Sequence, residues 1–197
     1  YRWNGWFLGL VGYRAVNMVR PGETCIIAGI YSESTIRDFS KGVGTYGKVI
    51  VVEANPFNVE RFKNAIQDLE NVSITNQAVW REKGEMEFLM SAQEKDQGYN
   101  RLASEELQEF PTHMDQKPET VKVPTNTLDN IAADFNISEV NHINLTINGA
   151  ELQGLEAISQ IKAANPKVRL YINSETPDPA DDVIAKLKEL GFTVFLS

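Results

Sequence analysis

Glu53 closes the apolar run KVIVVE (48–53), and a carboxylate at a strand end can accept hydrogen bonds from a ligand. It can equally serve the Asn55-Pro56 turn that follows, and the residues alone leave both readings open. Thr146 and Asn148 end the run HINLTIN (142–148); both can orient an acceptor hydroxyl, and neither is a carboxylate base at neutral pH. His142 starts that run, so it is expected away from the strand's carboxyl end, where catalysis would sit. Asn76 follows VSIT (72–75), a position for a ligand contact or for a turn. The one cysteine, Cys25, excludes an intrachain disulfide, and His113 and His142 lie far apart without cysteine companions, so no metal is expected. GVGTYG (42–47) matches G-x-G-x-x-G letter for letter, but it precedes a strand instead of following one. It therefore reads as a helix-to-strand connection with no helix N-terminus to receive a phosphate.

With 197 residues and 42% hydrophobic content, the chain can bury a real core, and its length favours one domain. A net charge of −8 and a pI near 4.9 oppose phosphate backbones and anionic membrane surfaces. Nucleic acid is thus not an expected partner; small molecules, polar polymers and protein surfaces are. No apolar run reaches the roughly 18 residues that span a bilayer, and no signal peptide is visible. The lone cysteine fits a reducing compartment, so a cytoplasmic location is expected. The chain opens on Tyr1, and what precedes it is not given by the sequence. Three sequons, at Asn71, Asn136 and Asn144, carry little weight for glycosylation, because Asn144 should lie in a buried central strand.

The elements that must position these side chains alternate between strand and helix. Strands are expected at 24–28, 48–53, 72–75, 142–147, 168–172 and 192–196. Helices are expected at 57–69, 150–163 and 179–190, with Gly191 as a stop. The opening YRWNGWFLGLVGYRAV spaces Trp3, Trp6, Phe7, Leu10 and Tyr13 nearly helically, which gives residues 1–19 as a helical segment packed over the core. GEMEFLM (84–90) is expected to run antiparallel to its predecessor, and ETVKVP (119–124) adds another strand, so a hairpin-like excursion leaves the parallel sheet. The polar stretch between them, 91–118, is long enough to be a lid or binding element.

In order along the chain stand PGETCIIAGI (21–30), GKVIVVEANPFNVERFKNAI (47–66), NQAVWREKGEMEF (76–88), VPTNTLDNI (123–131), INGAELQGLEAI (147–158) and LKELGFTVF (187–195). This series resembles the FkbM-type methyltransferases, which use S-adenosylmethionine mostly to O-methylate small molecules and sugars. The resemblance implies a methyltransferase-like domain over 20–197. Its implied fold is a Rossmann-like class I methyltransferase, α/β, with a mostly parallel seven-stranded sheet, the last strand antiparallel, and helices on both faces. It also implies cofactor contacts at Gly29, at Glu53 through the ribose hydroxyls, and at Asn76 through the adenine edge.

The sequence departs from the family pattern at two places. Where the family has an acidic residue, glycines and Asn after the first strand, this chain reads IIAGIYSES: Ile27 replaces the Asp, Gly29 remains, and Tyr31 and Glu33 are expected to project into the cofactor's space. Where the family carries a motif like IKIDVEGAE, this chain has Asn144, Thr146 and Asn148 in the charged places. Glu151 persists, favoured at a helix start by the helix dipole. Two functions follow. One is a scaffold that has lost S-adenosylmethionine binding and acts as an interaction or structural module through a protein partner or self-assembly. The other is an active enzyme with a remodelled site, in which Gly29, Glu53 and Asn76 hold cofactor and Thr146 and Asn148 orient a small-molecule or saccharide hydroxyl.

Overall fold

The run TCIIA is almost continuously apolar because both of its faces are covered, and it forms the central strand β1 (Thr24–Ala28). The computed structural model describes residues 19–30, 32–91, 100–105, 107, 118–173 and 179–195. The Trp-rich opening, Tyr31, His113 and most of 91–118 lie outside those residues. Strands β2 (Lys48–Glu53), β3 (Val72–Asn76), β8 (His142–Leu145) and β9 (Arg169–Ile172) join β1 in the order β3-β2-β1-β8-β9, every pair parallel. The strand order reverses between β1 and β8, which opens a crevice at the carboxyl ends of those strands.

Alternation along β1 divides the core. Cys25 and Ile27 pack with Ile36, Phe39 and Phe62 of helices α1 (Glu33–Val43) and α2 (Pro56–Ala65). Ile26 and Ala28 pack on the other face with Leu128 and Ile131 of α3 (Leu128–Asp134), Leu155 of α4 (Glu151–Leu155) and Ile161 of α5 (Ser159–Ala164). Helix α6 (Pro179–Glu189) adds Val183 and Leu187 to that face, and Gly191, at φ +78°, ends it in the left-handed region that favours glycine. Helix starts are set by side chains: Ser32 accepts the Thr35 N–H, Asn55 those of Phe57 and Asn58, and Thr127 that of Asn130. The GVGTYG string is the expected connection, with Gly44 as the C-cap of α1 and β2 starting at Lys48.

The amino ends of the strands are bolted together. Arg169 Nη2 meets Glu23 Oε2 at 2.5 Å, Asn141 Oδ1 accepts the Thr24 N–H at 2.7 Å, and Thr24 O accepts the Asn141 N–H at 2.9 Å. Lys48 N–H donates to Glu23 O at 3.0 Å and Arg169 N–H to Asn141 O at 3.0 Å, so β1, β2, β8 and β9 share one network.

The excursion forms a second, mixed sheet from β4 (Ala78–Val79), β5 (Gly84–Met90), β6 (Arg101–Leu102) and β7 (Glu119–Asn126), in the order β4-β7-β5-β6. β5 pairs antiparallel with β7 and β6; it also runs antiparallel to β4, the strand before it, but β7 lies between the two and they share no ladder. Met86, Phe88 and Val123 turn inward, while Glu85 and Lys122 form an exposed ion pair at 3.3 Å.

Two expectations change. The helix expected over 150–163 is broken into α4 and α5, because Asp129 on α3 caps α5 from outside, accepting the Gln160 and Ile161 N–H groups at 3.0 and 2.9 Å. Of the run expected as the last strand, 192–195 has no ladder partner among the described residues, although Phe192 and Val194 pack against the core; the described parallel sheet thus has five strands. Among the sequons, Asn144 is buried as expected, Asn71 donates to Ser40 O and Gly44 O, and Asn136 is exposed.

Candidate functional site

At the crevice, the ends of β1, β2 and β8 face the second sheet across a cleft. The space open to the centres of water molecules is about 60 Å³, which holds a handful of waters; the whole hollow, mouth included, is about 580 Å³. Its walls are mostly apolar: Ile30, Val79, Phe88, Leu102 and Ile147 contribute side chains. Among the described lining residues, Glu53 is the only charged one; the other polar side chains are Asn58, Gln77, Asn100, Thr146 and Asn148.

Gly29 lines the cleft at φ +77°, and its requirement for glycine is internal: a Cβ there would stand 1.8 Å from Thr146 O. β1 and the end of β8 approach too closely for any side chain. Glu53 also lines the cleft and is 6% exposed, so it is not the solvent-facing turn carboxylate that the residues also allowed. Its Oε1 accepts the Asn55 N–H at 2.8 Å, and the nearby Ile30 N–H and Asn58 side chain favour its charged form. Burial nevertheless dominates and pushes its pKa up to about 7, against these hydrogen bonds and the nearby Arg61 charge.

Asn76 does not line the cleft with Glu53; its Nδ2 donates to Glu53 O and Ala54 O, both at 2.9 Å, and so ties the end of β3 to the turn after β2. The cleft neighbour on that side is the next residue, Gln77. Glu33 does not project into the cleft either: it is half-buried on the first turn of α1, which begins at Ser32 and carries it away. Tyr31 lies outside the described residues. Ile27, in the place of the family's acid, is wholly buried against α1 and α2.

Thr146 and Asn148 both reach the cleft, as the end of the HINLTIN run must, and Asn144 lies two residues short of it, buried beside Ile27 and Tyr171 in register. Asn148 has φ +53° and donates from Nδ2 to Asn100 O at 2.6 Å. Glu151 does more than favour a helix start. Its Oε1 accepts the Ile147 N–H at 3.1 Å and its Oε2 the Gly149 N–H at 3.0 Å, with the residue 1% exposed. His142 is 0% exposed, stacked on Phe39 with centroids 6.1 Å apart, far along β8 from the cleft. Both ring nitrogens are buried without hydrogen-bond partners, and burial, then Arg169, lowers its pKa to about 4. Among the described residues no cluster of metal-ligand side chains occurs and no helix is long and apolar enough to cross a membrane.

Sequence reasoning missed Asn58, Gln77, Phe88, Asn100 and Leu102 as cleft residues. The first two stand within a few residues of a strand end that was recognised. The others arrive through the second sheet, whose packing has no local signature.

The Methyltransferase FkbM domain matches residues 20–194, nearly the whole chain. The chain belongs to the FkbM methyltransferase family. The fold of this FkbM domain is also that of solved class I methyltransferases. Aeropyrum pernix fibrillarin, in complex with natively bound S-adenosyl-L-methionine, has 10% identity and a TM-score of 0.52 over 90% of this chain and 60% of that one. The precorrin-6y C5,15-methyltransferase of Geobacter metallireducens has 11% identity and a TM-score of 0.51 over 96% of this chain and 72% of that one. The FkbM domain thus spans well under two thirds of the fibrillarin chain. No curated protein matches it.

Proposed function

We propose that this FkbM domain keeps the methyltransferase scaffold but does not bind S-adenosylmethionine, and that it acts as an interaction or structural module, through a protein partner or self-assembly. The supporting observation is Glu53. Glu53 is 6% exposed and its Oε1 already accepts the Asn55 N–H at 2.8 Å, with the Ile30 N–H and the Asn58 side chain also near enough to favour its charged form. Buried and engaged by its own turn, the carboxylate is poorly presented to two ribose hydroxyls, and a pKa near 7 leaves it only partly charged at neutral pH. The rest of the described lining is neutral, so no other full charge there offsets those of a ligand carrying sulfonium, ammonium and carboxylate groups. The residues present therefore do not fit the family's cofactor.

Isothermal titration with S-adenosylmethionine and S-adenosylhomocysteine tests this directly. No heat at submillimolar ligand is expected; a saturable isotherm overturns the reading.

The second reading is an active O-methyltransferase on a small-molecule or sugar hydroxyl. What favours it is that the cleft persists at the switch point with Gly29, Glu53, Thr146 and Asn148 all on its lining. Methyl transfer needs chiefly alignment of donor and acceptor, and neutral side chains can align. Asn76 enters this reading only if its two backbone bonds are given up.

A further inference from the structure

Four hydrogen bonds at the cleft form an ordered series that neither reading of the function requires. The loop after β8 carries Asn148 at φ +53°, a left-handed conformation that Asn tolerates better than most residues and that neighbouring hydrogen bonds can fix. Glu151 supplies the hold. Its two carboxylate oxygens grip the N–H groups on either side of Asn148, those of Ile147 and Gly149, at 3.1 and 3.0 Å. So held, Asn148 sends its Nδ2 to Asn100 O at 2.6 Å. Asn100 in turn accepts the Ser91 N–H on its Oδ1 at 2.8 Å. Asn148 belongs to the wall formed by the parallel sheet, and Asn100 to the wall formed by the second sheet, and both line the cleft.

We propose that Glu151 is the positioning residue of a latch that draws the two walls of the cleft together through Asn148 and Asn100. Glu151 touches no ligand position: it is 1% exposed and absent from the cleft lining, and it acts through the loop it grips. A carboxylate suits the task, because its two oxygens accept two N–H groups at once, whereas an amide of the same shape has one acceptor oxygen and a donor that meets the second N–H. The latch deepens the reading that this cleft does not take S-adenosylmethionine and rests on it, since a tie between the walls limits how far they can part for a ligand of that size.

The dependence runs one way, which sets the test. Hydrogen–deuterium exchange on the whole chain would compare Glu151→Gln and Asn148→Gly with the parent, glycine being at ease at φ +53°. In Glu151→Gln, the amides of Ile147, Gly149 and Ser91 are all expected to exchange about tenfold faster. In Asn148→Gly, Ser91 should quicken alone, while Ile147 and Gly149 keep the parent's protection under Glu151. The amides of β1 and β2 report whether either variant is loosened globally and should not change. Unaltered exchange at Ser91 in Asn148→Gly, or at Gly149 in Glu151→Gln, overturns the latch. Parallel titration with S-adenosylmethionine separates the two ideas: binding by the parent sinks the reading that the domain does not take this cofactor, whereas parent-like exchange in the variants sinks the latch alone.

Discussion

Glu53 and His142 are both buried against their charged forms, and their effects on stability run in opposite directions. The folded-state pKa of Glu53 lies above the ordinary 4.5, at about 7, so the unfolded chain ionises first as pH rises. The stability this group contributes at acid pH is lost between 4.5 and about 7. The folded-state pKa of His142 lies below the ordinary 6.5, at about 4, so the unfolded chain takes up its proton first as pH falls, and stability is lost from 6.5 down to about 4. Each effect amounts to at most about 3 kcal/mol, and over the shared window they offset one another. Urea unfolding at pH 5 and pH 8 should therefore show little net slope in the parent. Glu53→Gln should make stability rise from pH 5 toward 8, because only the effect of His142 is left. His142→Leu should reverse the slope and raise stability at pH 5, since its ring nitrogens make no hydrogen bond that leucine would lose.

At the scale of elements, the motifs that carried the resemblance have structural explanations. In TLD, Thr127 caps α3, Leu128 is wholly buried, and Asp129 caps α5 on a different segment. Asp129→Ala is expected to cost about 1–2 kcal/mol in thermal or chemical unfolding, the worth of a lost cap. In the sequence the threonine cap was legible, because it acts on its own helix. The aspartate's role was not, because its partners lie some thirty residues away in the chain. The same limit explains why 150–163 read as one helix: its apolar period runs through the break, and only the external cap interrupts it. Gly29 was read as the survivor of a cofactor loop, yet the close approach of Thr146 O accounts for it without any ligand. Gly29→Ala should cost at least about 2 kcal/mol in a denaturant titration, with no ligand present, because a backbone must move and a positive φ must be held.

Across the whole molecule, the parallel sheet was readable because each of its five strands is an apolar run, and α2 and α6 were readable from their helical period; α1, whose buried residues are Ile36, Phe39, Ser40 and Val43, was not among the helices expected by period. The second sheet was half readable: β5 and β7 were expected as a hairpin-like excursion, whereas β4 and β6, two residues each, are too short to announce themselves. The cleft was legible where it is built from strand ends, at Gly29, Glu53, Thr146 and Asn148, and illegible where long-range packing brings in Phe88, Asn100 and Leu102. Phe39→Ala, at the centre of the α1 layer and against His142, should lower stability by about 3–5 kcal/mol while leaving the cleft's lining residues in place, as circular dichroism and exchange at β8 would report.

The network joining Glu23, Thr24, Asn141 and Arg169 lies at the opposite pole of the sheet from the cleft. Anchorage and ligand contact are therefore borne by separate sets of residues. Substitutions that strip acids from the carboxyl pole leave the anchoring pole intact, so a chain of this design can forfeit a binding capacity by drift and still fold, with its ancestry written in the portion that never touched a substrate.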